Sequence, residues 1–376
     1  MNRESDTAPA ASASLRWRDG PTTEPSGETM PPTTDRIRLL LDDGARNRVY
    51  PGAVWAFGTP DGIIDQGTVG LLDPTEPDHP MQADTVFDAA SLTKILAVWT
   101  SIGSLWQDGL LDLDAPLGGF WTEVAGHPLA QATARQLLTH SAGVPLRAQL
   151  QNLYGTDPVA IRTGVLQEAL HRPPGEAVEY TDRAALILGY LAEYLAGHPL
   201  DQVATTRVWS PLGMTDTRFG PLPAELRARC APTELDQATG AHLRGTVHDF
   251  SARLLGGVCG ISGVFTALDD LARFLRYLLD PTQAADKPGF GPQWTAESLA
   301  LHTGSLEPAR GLFWYPAPGT DTTDDIWVHY GFTGTGIWVS PKQQRWAVLL
   351  TNKLYYTRDR EPLTLIRNTF RELAWG

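Results

Sequence analysis

Apolar positions along this chain follow two rhythms, and the change-over points outline its elements. Near the start, Ile37, Leu39, Leu40 and Leu41 come after Thr34, which predicts a first helix with Thr34 as its N-cap. Two runs rich in β-branched and aromatic residues follow, at 53–57 and 63–71. They read as strands joined by a turn at Pro60-Asp61-Gly62. From about Ser91 to Leu279 the apolar spacing is mostly that of helices. Strand signals return at 326–330, 335–339 and 345–351, the last two joined through Ser340-Pro341-Lys342-Gln343. A helix over 362–375 closes the chain. Strands at both ends with helices between them predict an α+β fold. One antiparallel sheet would be built from the N- and C-terminal segments (about 34–90 and 285–376) and flanked by helices, with a mostly helical lobe inserted at about 91–284. The cleft between the lobes of this single 34–376 domain is the expected ligand site.

Residues 1–33 carry neither rhythm. They are rich in Pro, Ser, Thr, Ala and Glu, and read as a flexible tail. No apolar stretch follows the early Arg3, so the segment does not read as a secretory signal. With 376 residues, 42% apolar and 19% charged, the remainder has the profile of a globular protein with a substantial core. The formal net charge is −13 and no basic cluster is present, which argues against nucleic acid as a partner. No run of eighteen apolar residues exists, so neither a spanning helix nor a membrane partner is expected. Cys230 and Cys259 fit no metal spacing and are expected as free, buried thiols in a cytoplasmic protein, a monomer or small homo-oligomer. No cofactor or metal is implied.

The segment with the most chemical content is Ser91-Leu92-Thr93-Lys94, which opens an apolar stretch. Leu92, Ile95, Leu96, Trp99, Ile102 and Trp106 recur at helical spacing, and Lys94 is the only charge between Ser91 and Trp106. Residues three apart share a helix face, so the Ser91 hydroxyl and the Lys94 amine are predicted to meet. The helix N-terminus offers free N–H groups and a positive dipole end to an oxyanion. Apolar surroundings should lower the Lys94 pKa, letting a neutral amine take the serine proton. By itself the tetrapeptide is equally consistent with a serine N-cap followed by a snorkelling lysine.

Other segments, in order, resemble the serine β-lactamase-like superfamily, which groups β-lactamases, penicillin-binding proteins, family VIII esterases and transacylases. The run 108–116 is similar to the segment that follows its nucleophile helix. Gln136-Leu137-Leu138-Thr139-His140-Ser141-Ala142-Gly143-Val144-Pro145 resembles its L-L-T-H-T-S-G-L-P. Pro174-Gly175-Glu176 with Tyr180-Thr181-Asp182 resembles its second motif, and His329-Tyr330-Gly331 its third. The runs 211–217 and 256–263 also match.

The resemblance implies Ser91, Lys94 and Tyr180 as catalytic residues, with Tyr180 relaying protons. It implies the backbone N–H groups of Ser91 and Phe332 as the oxyanion hole, Gly331 permitting close approach. Asp182 would orient Lys94, bind substrate or cap the following helix. His329 would supply a hydrogen bond or charge, or be an ordinary strand histidine. His140 reads as structural, His248, Asp249 and Ser262 as shaping loops, and Trp314 as a pocket liner. Asp182 stands where an Asn is usual and Tyr330 where a Thr is usual, so lactam recognition is not expected to carry over.

The chain has no G-x-S-x-G elbow, H-E-x-x-H or Walker loop. The resulting expectation is acyl transfer through acyl-Ser91, from a small ester or amide to water, an amine or an alcohol. A β-lactamase or D,D-peptidase-type hydrolase is the alternative, as is a binding or sensing domain without turnover.

Overall fold

In the computed structural model, which describes residues 32–147, 149–284 and 286–376, the predicted hairpin is formed by β1 (Gly52–Thr59) and β2 (Gly62–Gly70). The expected tail lies almost entirely outside the described residues. The C-terminal signals become β7 (Trp327–Tyr330), β8 (Gly336–Ser340) and β9 (Arg345–Thr351). β9 pairs antiparallel with β1, so the two chain ends share one six-stranded sheet ordered β2-β1-β9-β8-β7-β6. Its edge strand β6 (Tyr315–Pro316) is two residues long, too short for a period-2 signal, and was not predicted. Neither was a second sheet in which β5 (Val264–Thr266) lies between β3 (Phe87–Asp88) and β4 (Arg218–Phe219), for the same reason.

Both faces of the main sheet are covered, and strand alternation assigns residues to each. Val54, Ala56, Ile337, Val339, Trp346, Val348 and Leu350 point into the helical lobe. Ala53, Trp55, Phe57, Trp338, Ala347 and Leu349 point the other way, under the first helix (Thr33–Arg46) and the last (Glu361–Trp375). Ile37 and Leu41 of the first helix meet Leu363, Ile366 and Phe370 of the last in that second core. Thr34 is not the cap. It lies inside the first turn, and its hydroxyl donates to the Asp65 carboxylate of β2.

The nucleophile segment departs from a regular amphipathic helix. It begins as a 3₁₀ turn (Ala90–Leu92), widens to π geometry (Lys94–Trp99) and becomes α-helical only over Thr100–Gln107. Residues 92–105 are buried all round, because the segment runs through the centre of the helical lobe. Trp99 is fully buried against Phe274, Phe290, Trp294 and Trp314. Trp314 is therefore a core residue and not a pocket liner. Cys230 and Cys259 are buried and unpaired, and burial pushes both thiols up to about 12. No helix among the described residues is long and apolar enough to cross a membrane.

Candidate active site

Ser91 is presented by a turn that the local sequence alone would not choose. Ala90 has φ = +49°, a region disfavoured for residues with a Cβ. Asp88 holds it there. One carboxylate oxygen accepts the Ala90 N–H at 2.8 Å, and the other accepts the His248 N–H at 2.8 Å and lies 2.9 Å from its ring Nδ1. The His248 ring is driven down by burial and up by Asp88, and the net direction is up, with the ring held against the Asp88 carboxylate behind the turn. Backbone strain of this kind needs surroundings that over-determine it, and this pair supplies part of them.

Lys94 lies one turn further on and is completely buried. Its Nζ donates to Ser91 Oγ at 3.1 Å and to the Ile261 carbonyl at 2.9 Å, and it lies 2.8 Å from Asp182 Oδ1. Burial alone would lower its pKa, as the sequence suggested. The Asp182 carboxylate, with Tyr180, outweighs burial, and the pKa is raised. Three acceptors surround Nζ, which suits the three donors of an ammonium. The shift is opposite in direction to the one expected from apolar surroundings alone. Thr181, and not Asp182, caps the helix Asp182–Ala196 by accepting the Arg183 N–H, which frees the Asp182 carboxylate to face Lys94.

Tyr180 also reaches Ser91, its Oη 3.1 Å from Ser91 Oγ. The Lys94 Nζ lies 5.4 Å from its ring centroid. His140 positions it: the Glu179 N–H donates to the His140 carbonyl at 2.9 Å and the Thr181 N–H to His140 Nδ1 at 3.4 Å, straddling Tyr180. The two rings also pack at 4.6 Å. Burial, then the charges of Arg310 and Lys94, hold the His140 pKa well below its ordinary value, so it is neutral.

The third segment closes the site from the sheet side. The Thr333 and Thr335 hydroxyls donate to the carbonyls of Asp88 and Ala89 at 2.7 and 3.1 Å, stitching the end of β7 to the nucleophile turn. A Cβ at Gly331 would fall 2.1 Å from Thr335 Oγ1 and 2.5 Å from the Ala89 carbonyl oxygen, so only glycine allows this approach. Ser91 and Phe332 both line the cleft at this junction. His329 is buried with its Nδ1 2.7 Å from the Phe313 carbonyl oxygen, and burial takes its pKa down to about 3. It braces a loop and carries no charge. Tyr330 packs under Arg367 at 4.3 Å and edge-on to Trp338, while Arg367 donates to the carbonyls of Gly331 and Thr335.

Together these residues floor a cleft of about 660 Å³ between the helical lobe and the β7 edge. Asp249, Ser262 and His248 border it, as does Arg310. Ile261, His140, Arg310 and Arg367 were not singled out as site residues, since a carbonyl acceptor and three side chains from separate parts of the chain, Arg367 among them on the last helix, come together only in the fold. Among the described residues, no group of three or more His, Cys, Asp or Glu is placed to hold a metal ion.

A doubly covered antiparallel sheet with a helical lobe and a serine at their junction is the architecture of the serine β-lactamase-like superfamily. The chain belongs to the beta-lactamase family, whose model matches residues 37–369. A protein of Escherichia coli strain K12, provisionally named a D-alanyl-D-alanine carboxypeptidase, is 29% identical over 313 residues, covering 73% of this chain and 71% of its own. The structure of EstCE1, described as a hydrolase with promiscuous acyltransferase activity, aligns with TM-score 0.72 at 18% identity, covering 92% of this chain and 98% of its own. Unliganded simvastatin synthase (LovD) from Aspergillus terreus aligns with TM-score 0.70 at 19% identity, covering 92% and 98%. At those identities the two structures speak for the fold. The family places the protein among serine hydrolases and acyltransferases.

Proposed function

We propose that the protein cleaves a small-molecule ester or amide through an acyl-Ser91 intermediate and passes the acyl group to an amine, an alcohol or water. One observation carries this reading: Ser91 Oγ lies 3.1 Å from both Lys94 Nζ and Tyr180 Oη at the floor of an open cleft. Because the Asp182 carboxylate favours the charged form of Lys94, the base role falls to Tyr180 in this reading. Tyr180, acting as a phenolate, is the proton acceptor, and the Lys94 ammonium stabilises the negative charge carried by the two oxygens beside it. As Ser91 Oγ bonds to the substrate carbonyl carbon, its proton moves to Tyr180, and the carbonyl oxygen becomes an oxyanion held by the N–H groups of Ser91 and Phe332. When the ester or amide bond breaks, Tyr180 returns that proton to the leaving oxygen or nitrogen. The acceptor then repeats the sequence in reverse, giving its own proton to Tyr180 as it attacks the acyl carbon.

The names of the relatives support two destinations for the acyl group, hydrolysis and transfer, and the roles given to Tyr180 are compatible with either. A lactam- or D,D-peptide-directed activity is the second reading, supported by the family and the Escherichia coli relative. Against it stands Tyr330, which replaces a small hydroxyl with a ring packed against Trp338 and Arg367.

Incubation with p-nitrophenyl esters, followed by mass spectrometry, tests the proposal. The expected result is a transient acyl adduct on the Ser91 peptide that disappears in Ser91→Ala and decays faster when amines or alcohols are added. A permanent adduct, or none with any ester or lactam, points instead to a binding domain without turnover.

A further inference from the structure

The cleft carries a charge opposite to that of the protein. The chain has a formal net charge of −13, yet six cationic and three anionic side chains line the cleft. Most of those cations are already engaged. Arg253 donates to the carbonyls of Val247 and His248, Lys353 to those of Thr357 and Asp359, and Arg367 to those of Gly331 and Thr335. Arg358 pairs with Glu234, and Arg360 is exposed at the rim against Phe332.

Arg310 differs from all of these. Its guanidinium stacks on Tyr315 at 4.4 Å, and its Nε is buried without a hydrogen-bond partner. No side-chain donor of Arg310 meets a carboxylate or carbonyl among the described residues. A buried donor left unmade is costly, and for a charged group more so, unless something else supplies the acceptor.

The loop that presents Arg310 is rigid. Its N–H donates to Thr303 Oγ1 at 3.1 Å, and its carbonyl accepts the His302 N–H at 2.8 Å. Next to it, a Cβ at Gly311 would fall 2.2 Å from the Ser298 carbonyl oxygen, so the backbone is closely held. Phe313, two residues further on, sits at φ = +63°, fixed by its N–H donating to the Leu138 carbonyl at 2.8 Å. Meanwhile the strand that carries His329 and Tyr330 offers no charge to a ligand, since one is buried and neutral and the other lies under Arg367.

We propose that Arg310 and Tyr315 form a carboxylate subsite on the Tyr180 side of the cleft, so that the substrate passing through Ser91 is an anion. With the Tyr315 ring against it and the cleft beside it, the planar guanidinium is suited to bidentate pairing with a carboxylate. The inference rests on the acyl-transfer reading for what happens next to that substrate, but the subsite itself is a matter of binding.

The test uses matched pairs that separate the two places a carboxylate can sit. Mono-(p-nitrophenyl) succinate against p-nitrophenyl butyrate places it on the acyl side, and p-acetoxybenzoate against phenyl acetate on the leaving-group side. Binding is read by calorimetry on the Ser91→Ala protein. At least one anionic member is expected to bind roughly tenfold or more tightly than its neutral partner. Arg310→Gln in that background is expected to erase the difference, and Arg310→Lys to restore part of it. In the full enzyme, the ratio of kcat/KM for anionic over neutral ester should fall by a similar factor in Arg310→Gln.

No preference in either pair overturns the proposal. So does a preference that survives Arg310→Gln, or an equal loss for both members of a pair together with a displaced pH profile, which would make Arg310 a residue acting on Tyr180. Tight anion binding to the Ser91→Ala protein without any acylation of the intact enzyme would leave the subsite standing and remove the acyl-transfer reading.

Discussion

At Lys94 two large electrostatic effects oppose each other, and the outcome decides which residue is the base. Full burial penalises the ammonium, while a carboxylate 2.8 Å away stabilises it. The carboxylate wins, and in the wild type the Lys94 pKa lies above its ordinary value. Asp182→Asn removes the stabilising partner and leaves the burial. The Lys94 pKa must then fall, and the alkaline limb of kcat/KM should move to lower pH, cutting the rate at pH 9 about tenfold or more relative to its value at pH 7. A pH profile of acylation measures this, and an unmoved alkaline limb would show that the reaction does not use the charge. Ser91, Lys94 and Tyr180 were legible because short motifs mark them. The lowered pKa of His329 and the raised pKa of Lys94 were not, because the first comes from burial and the second from a carboxylate far along the chain.

The elements that build the site are the irregular ones. A 3₁₀ turn at Ala90–Leu92 leads into π geometry at Lys94–Trp99, and the end of β7 is stitched to that turn by two threonine hydroxyls. Gly331 is the point of closest approach. Gly331→Ala puts a methyl against Thr335 Oγ1 and the Ala89 carbonyl, so either the strand or the nucleophile turn must give way. The expected stability loss is about 1–3 kcal/mol by denaturant unfolding, the usual cost of overpacking. The two N–H groups proposed as the oxyanion hole, of Ser91 and Phe332, belong to the two segments joined at that seam, so kcat should fall about a hundredfold while KM changes less. An unaltered kcat in a destabilised protein would remove Phe332 from the oxyanion hole. Long elements were readable in advance because a strand such as 345–351 shows several periods of its pattern. The two- and three-residue strands β3, β4, β5 and β6 show none, and only their partners make them strands.

Across the whole molecule, the sheet divides the core in two, and the nucleophile segment belongs to the larger part. Trp99 joins that segment to residues from far along the chain: four aromatic rings pack on it and its indole N–H donates to Ser298 Oγ at 2.8 Å. Trp99→Ala should cost about 3–5 kcal/mol in denaturant unfolding, because this well-packed surround has little room to collapse. A loss under 1 kcal/mol would mean the cluster is not the anchor its packing indicates.

Hydrophobic rhythm along the chain was sufficient for the α+β class and the shared sheet, while short motifs and the family resemblance pointed to the serine, lysine and tyrosine. Periodicity and motif spacing are local properties, readable within one turn or one strand. Tertiary structure alone decided that a carboxylate raises the Lys94 pKa, that His140 clamps Tyr180, that Asp88 and His248 hold the Ser91 turn, and that Arg310 faces the cleft without an acceptor. Each of these depends on burial or on a partner brought from a distant part of the chain, and protonation state and hydrogen-bond satisfaction exist only once such groups share one dielectric environment.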